Sequence, residues 1–78
     1  MAIPFAEDCI EIRGNSELFI DRCRRLLECS DVLMLAETHG LRVAVWGSGL
    51  LADDYGAAGL HIRGEITAIE FTREGGAD

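Results

Sequence analysis

The stretch from residue 60 to residue 71 limits the possible folds more than any other part of this chain. Its apolar residues alternate with polar ones and then change parity: Leu60, Ile62 and Ile66, followed by Ile69 and Phe71. A period of two residues is typical of a β-strand with one buried face. We predict a strand with a β-bulge or a sharp bend between Gly64 and Ala68, because such an irregularity turns both sets of apolar side chains towards apolar surroundings.

A β-hairpin is predicted near the start of the chain. Residues 9–13 alternate between apolar and polar side chains. Gly14-Asn15 supplies a two-residue turn, because both residue types tolerate positive φ. The second strand of this hairpin covers residues 17–21. The side chains expected to face the core are Ile10, Ile12, Leu18 and Ile20.

Residues 17–28 allow two interpretations. An amphipathic helix fits the apolar spacing of i, i+4, i+7 and i+8, which is found at Phe19, Cys23, Leu26 and Leu27. The alternative is two short strands, 17–21 and 25–29, joined by a turn. We favour the strands because the surrounding sequence is rich in β-patterns, but periodicity alone leaves both interpretations open.

The middle of the chain adds further strands separated by turn residues. Residues 32–36 are apolar at both parities, which indicates a strand buried on both faces or one whose second face meets another subunit. Residues 41–46 alternate and end at Trp46, which we expect to cover the edge of the core. Gly47–Gly49 is interpreted as a hairpin turn, since the sequence lacks the pattern of a phosphate-binding loop. The elements predicted after it are a short strand at 50–52 and the longest loop at 53–59.

These elements together predict a small all-β domain. Seven or eight short strands follow one another at spacings of roughly eight to ten residues. Tight turns favour antiparallel neighbours, and the strands are expected to close into a barrel, a roll or a sandwich. With 78 residues, the chain has room for one domain. The predicted organisation is a lead-in at 1–8, the domain at 9–71 and a flexible tail at 72–78.

The charge of the chain restricts its partners. The net charge is −7, from 14 acidic and 7 basic residues. Nucleic acids and anionic membranes are recognised by clustered Lys and Arg, so neither is expected as the primary partner. The start of the sequence has no features of a signal peptide, and no apolar run approaches the about 18 to 20 residues of a membrane span. We therefore expect a cytoplasmic protein with no direct membrane span.

No cofactor, metal or catalytic site is predicted. The cysteines, Cys9, Cys23 and Cys29, are odd in number and form no CxxC pair. In a reducing compartment they are expected to remain free thiols that pack as small apolar groups. A metal site would need a fourth ligand such as His39 or His61 brought near by folding.

Three sequence motifs resemble those of a known protein family. The first is Ile10-Glu11-Ile12-Arg13-Gly14-Asn15-Ser16-Glu17, the second is Leu27-Glu28-Cys29-Ser30-Asp31, and the third is Ile62-Arg63-Gly64-Glu65-Ile66-Thr67-Ala68-Ile69-Glu70-Phe71. In this order they resemble the YabP/YqfC family of sporulation proteins from endospore-forming Firmicutes, and the YqfC branch in particular. The chain departs from the family pattern in having no lysine and in carrying Cys29 where an aromatic residue is usual.

The resemblance implies a non-enzymatic protein made in the mother cell during sporulation. YabP-like members are linked to assembly of the spore coat or envelope. YqfC-like members are encoded beside a membrane protein, YqfD, which implies a membrane-protein partner. The family provides no catalytic residues to assign to this chain.

Two functional hypotheses from different classes follow. In the first, the chain is an interaction and assembly module that forms a homo-oligomer or binds a membrane-protein partner. Its interface lies on the strand at 32–36, placed at an edge of the sheet where a partner can add to it. The residues assigned to this interface are Val32, Leu33, Met34, Leu35 and Trp46.

In the second hypothesis, the chain is a small ligand-binding or acid–base enzyme domain. His61, Arg63 and Glu65 alternate onto one face of the last strand, and Glu70 joins them at the bend. An imidazole and two carboxylates on one open face can exchange protons with a bound molecule. A solvated strand face with cross-strand ion pairs explains the same pattern and is the interpretation we favour.

Overall fold

The computed structural model describes residues 10–38, 40–56 and 58–73, and for Tyr55 the backbone only. These residues form six β-strands and no helix, which confirms the all-β class. The strands are β1 (Ile10–Arg13), β2 (Glu17–Ile20), β3 (Arg25–Cys29), β4 (Leu33–Glu37), β5 (Leu41–Tyr55) and β6 (Gly59–Arg73). They form one sheet of order β1-β2-β6-β5-β4-β3, and every neighbouring pair is antiparallel.

The sheet is open. β1 and β3 are its two edges and do not pair with each other, so the barrel among the predicted alternatives is wrong. The connection from β2 to β3 runs past the β5–β6 turn, where the backbone N–H of Cys23 donates to the carbonyl of Ala58 at 2.8 Å. The N–H of Arg24 then donates to the carbonyl of Glu37 at 2.7 Å. These two hydrogen bonds fix the connection that leads to β3 at the opposite edge of the sheet.

The number of strands is lower than predicted because β5 and β6 are long. Each has 15 residues, and their turn covers only residues 56–58. Gly47–Gly49, interpreted above as a hairpin turn, lies inside β5. The segment 50–52 is a continuation of the same strand, and residues 53–55 of the predicted loop also belong to it. Six strands therefore replace the predicted seven or eight.

Two β-bulges interrupt the β5–β6 pairing. Trp46 pairs with Ala68 but Gly47 pairs with Ile66, so β6 has one extra residue, Thr67. Ser48 then pairs with Glu65 and Leu51 with Arg63, so β5 has one extra residue at 49–50. The predicted irregularity between Gly64 and Ala68 is confirmed, and it is matched by a second one in the partner strand. Each bulge changes the parity of the inward-facing residues, as the sequence pattern requires.

Glycines make the two bulges possible because the backbones approach each other closely there. A Cβ built on Gly47 would overlap the carbonyl oxygen of Glu65. A Cβ on Gly64 would lie 2.7 Å from the carbonyl oxygen of Gly49, and Gly64 has a φ of +141°. No residue with a side chain fits either position without separating the strands.

The bulges divide the sheet into two halves. The first half contains β1, β2, residues 51–55 of β5 and residues 59–63 of β6. The second half contains β3, β4, residues 41–46 of β5 and residues 68–73 of β6. Inward-facing side chains from both halves belong to one cluster of buried residues, so the sheet curves around a shared core.

One hydrophobic core lies between the two halves. Its most buried members come from four strands: Leu18 and Ile20, Met34 and Ala36, Val43, Val45 and Leu50, and Leu60, Ile62 and Ile66. Ile69 packs partly against this cluster. Phe71 is 48 % exposed at the end of β6. Apolar residues on both sides of Gly64 thus reach one core, but Phe71, which was expected to do so, does not belong to it.

The strand interpretation of residues 17–28 is confirmed, and the helix is wrong. β2 and β3 occupy this segment, with residues 21–24 between them. The first hairpin is also present, but Arg13 pairs with Glu17, so its turn has three residues and not two. Ile12, expected to face inwards, is 45 % exposed because β1 is an edge strand. β6 continues to Arg73, two residues beyond the predicted end of the domain; residues 1–9 and 74–78 lie outside the described part of the chain.

Candidate interaction surface

The outer face of the second half of the sheet carries a continuous group of apolar side chains. Strand geometry places the side chains that alternate with the buried residues on this face. We call the following set the outer apolar patch: Leu33 and Leu35 of β4, Ala44 and Trp46 of β5, Ala68 of β6, and Val32 in the turn before β4. Trp46 is 43 % exposed and Val32 is 52 % exposed. No described residue covers them.

The patch is continuous because its members are cross-strand neighbours. Leu33 pairs with Trp46, and Trp46 pairs with Ala68, which gives one row across three strands. Leu35 pairs with Ala44 in the next row. The turn that carries Val32 is fixed beside β5, because the Gly47 N–H donates to the Val32 carbonyl at 3.0 Å.

Acidic side chains border the patch. Glu28 pairs with Leu35 on one side, and Glu70 pairs with Ala44 on the other. Glu65, opposite Ser48, follows Trp46 towards the bulges, and Asp31 precedes Val32 in its turn. All four carboxylates are exposed. Within the described part of the chain, none of the four has an ion-pair partner.

The structure corrects three features of the interface predicted from the sequence. Met34 is 1 % exposed and belongs to the core, because its neighbours in β4 face the other way. β4 lies between β5 and β3 and is therefore not an edge strand. Trp46 does not cover the core edge but points to the outer face. Val32, Leu33, Leu35 and Trp46 remain together on one surface, and Ala44 and Ala68 join them.

The outer face of the first half has a different character. Its charged groups are paired: Arg13 with Glu11 at 3.0 Å, His61 with Glu17 at 3.5 Å, and Arg63 with Asp53 at 3.2 Å. The rings of Phe19 and His61 stack with centroids 4.3 Å apart and an interplanar angle of 3°. The Arg13 guanidinium lies 4.8 Å from the centroid of the same Phe19 ring. We call this surface the polar outer face.

His61 has a ring nitrogen on this face whose hydrogen-bonding capacity is not satisfied. Its Nε2 atom is shielded from solvent and makes no hydrogen bond. The nearest Glu17 oxygen, at 3.5 Å, is too distant and too poorly aligned for one. The contact is therefore an electrostatic one, and its strength depends on whether the imidazole is protonated.

The residues of the acid–base hypothesis are not gathered into one site. His61 and Arg63 lie on the polar outer face, whereas Glu70 lies in the second half beside the outer apolar patch. Arg63 and Gly64 line a shallow open depression of about 430 Å³ together with Ser16, Glu17, Gly49 and Leu51. The described residues contain no group of three His, Cys, Asp or Glu side chains that could hold a metal ion; Cys9 and His39 lie outside them.

Two of the three cysteines can be located. Cys29 is exposed on β3, and Cys23 is partly buried in the β2–β3 connection. Burial raises the pKa of the Cys23 thiol, which also donates a hydrogen bond to the Arg25 carbonyl at 3.4 Å. The thiolate is the reactive form of cysteine, so burial lowers both the access of a reagent to Cys23 and the fraction of this thiol that is ionised.

We expect iodoacetamide at pH 8 to label Cys29 substantially faster than Cys23 in the folded chain. Peptide mass spectrometry at timed intervals measures both rates in one sample. In denaturant, where burial is lost, the two cysteines should react at similar rates. Equal rates in the folded chain would contradict the placement of Cys23.

Among the described residues, no helix is long and apolar enough to cross a bilayer. Comparison of the chain with protein-family models, with curated proteins and with solved structures gives no match.

Proposed function

We propose that this chain is a non-enzymatic interaction module that binds a partner protein through the outer apolar patch. The observation that carries this proposal is an uninterrupted apolar surface on the outer side of a folded sheet. Large exposed apolar surfaces are uncommon on proteins that act alone and mark interaction sites. Trp46, which is 43 % exposed within this surface, is of a residue type that is enriched at the core of interfaces.

The proposed setting is sporulation. The three motifs that resemble the YabP/YqfC family occupy the β1–β2 hairpin, the end of β3 and the bulged part of β6. The third motif includes Gly64 and Ile66, which form the bulge and the core contact that allow the sheet to fold over. On this basis we propose a role in the mother cell, in assembly of the spore envelope or coat, with a membrane-protein partner of the YqfD kind.

The chromosomal substitution Val32→Glu tests this function in an endospore-forming host that encodes the chain. Val32 is 52 % exposed, so a glutamate there is tolerated by the fold but places a charge inside the interface. The yield of heat-resistant spores is expected to fall to that of a strain in which the gene is deleted. Immunoblotting checks that the variant accumulates to the normal level.

Leu51→Glu is the matched control. Leu51 is 57 % exposed and is also apolar, but it lies in the first half of the sheet. This variant should sporulate normally. If the deletion strain itself forms normal numbers of intact, heat-resistant spores, the sporulation role is wrong. If Val32→Glu and Leu51→Glu behave alike, the outer apolar patch is not the functional surface.

A further inference from the structure

We infer that the partner of the outer apolar patch is a basic amphipathic segment, in which Lys or Arg side chains flank a short row of apolar ones. The inference rests on the proposed function, because it takes the patch as the docking surface. It adds the chemistry of the partner, which follows from the charges around the patch.

The distribution of ion pairs distinguishes the two outer faces. On the polar outer face, Glu11, Glu17 and Asp53 each lie within 3.5 Å of a basic side chain of the same chain. Around the outer apolar patch, four carboxylates have no such partner among the described residues: Glu28, Asp31, Glu65 and Glu70. A surface whose acids are left unpaired is electrostatically complementary to a basic partner.

The unpaired acids lie where a partner's flanking residues would meet them. Glu28 and Glu70 are at opposite ends of the row that contains Leu35 and Ala44. An apolar side chain docked on that row is therefore bordered by a carboxylate on each side. The row beyond it is not acidic, because Arg25 and Arg42 lie on either side of Glu37, and Arg25 and Glu37 form an ion pair at 3.1 Å.

A second copy of the chain fits this surface less well. In a two-fold symmetric dimer the same patch meets itself, so both acidic borders would be brought together. Each chain also carries a net charge of −7, which opposes self-association. The same charges repel the phosphates of nucleic acids and of anionic lipids. A basic segment of another protein is attracted by these same negative charges.

A set of three synthetic peptides tests the inference. The peptides share the same leucine positions and differ only in the flanking residues, which are Lys, Gln or Glu. The chain contains a single Trp, so the fluorescence of Trp46 reports occupancy of the patch directly. We expect the Lys peptide to shift the emission to shorter wavelength and to bind more weakly as salt is raised. The Gln peptide should bind more weakly, and the Glu peptide weakest of all.

Charge-neutral variants identify the acids responsible. Glu28→Gln and Glu70→Gln should each weaken binding of the Lys peptide by up to about fivefold, the range of an exposed ion pair. Glu11→Gln removes the same charge from the polar outer face and should leave the affinity unchanged. Val32→Glu should abolish the fluorescence response.

Three results would overturn the inference. The first is a Gln peptide that binds as tightly as the Lys peptide. The second is Glu28→Gln and Glu70→Gln variants that behave like Glu11→Gln. The third is a stable dimer in light scattering that Val32→Glu converts to a monomer, since a second copy would then cover the patch. If any of these results is found together with a sporulation defect of Val32→Glu in cells, the basic partner is rejected, but the outer apolar patch is retained as the docking surface.

Discussion

Gly47→Ala is expected to leave the chain largely unfolded. The new Cβ would overlap the Glu65 carbonyl oxygen and lie 3.0 Å from the Glu65 carbonyl carbon. Both are backbone atoms of the paired strand, so β5 and β6 must separate at the point where the sheet folds over. Steric conflicts of this kind cost several kcal/mol, and the stability of a small domain is only about 5–15 kcal/mol. Circular dichroism during urea unfolding measures the loss.

Gly49→Ala is the matched control for this prediction. Gly49 lies two residues further along β5, and a Cβ built there has no neighbour within 4 Å. Its φ of +61° makes alanine less favourable by only about 1–2 kcal/mol. This variant should fold with a lower urea midpoint. A Gly47→Ala variant as stable as Gly49→Ala would show that the strands are not in contact at Gly47.

Met34→Glu and Leu33→Glu are expected to have opposite consequences although the residues are adjacent. Met34 is 1 % exposed within the core, so a glutamate there must be buried without a partner or break the core open. Burial of an unpaired polar or charged group costs several kcal/mol, and we expect this variant to be mostly unfolded. Leu33 lies half-buried on the outer face, where a carboxylate reaches solvent; that variant should fold but lose the fluorescence response to the Lys peptide.

Thermal melting by circular dichroism separates these outcomes. The Leu33→Glu variant should retain a cooperative transition, and its free energy of unfolding should fall by no more than about 1–2 kcal/mol. Met34→Glu should show no cooperative transition. A Met34→Glu variant that folds but does not bind the Lys peptide would show that Met34 belongs to the interface. It would contradict the assignment of Met34 to the inward face of β4.

Much of the fold could be predicted from residue patterns, because β-strands leave a local signal. The alternation of apolar residues located the first hairpin, and the change of parity after Gly64 identified the bulge. The turn at 47–49 was mispredicted for a physical reason. Glycines that break a strand and glycines that allow two strands to approach look alike in sequence, and the difference depends on the paired strand. The compensating bulge in β5 could not be recognised without knowing the β5–β6 register.

The candidate surface was predictable only in part. Leu33, Leu35 and Trp46 stand out as large apolar residues, but the sequence does not say which parity of an apolar strand faces the core. Met34 was therefore included, and Ala44 was missed although it shares the parity of Trp46. The acids around the patch come from three different segments, so their common location depends on the order of strands in the sheet. Local sequence carries no signal of that order.

The two bulges also relate the number of residues in β5 to the number in β6. Thr67 adds one residue to β6, and a residue at 49–50 adds one to β5, so the outer ends of the hairpin keep the same register. Deletion of Thr67 alone would leave Ile66 opposite Gly47 and Ala68 opposite Trp46, so it would remove the bulge without changing which side chains face the core. Deletion of a residue outside the bulges would invert the strand beyond it, since a shift of one residue turns every side chain to the other face. Substitutions in this hairpin can accumulate one at a time, whereas a change of length outside the bulges keeps the inward-facing side chains only when both strands change together.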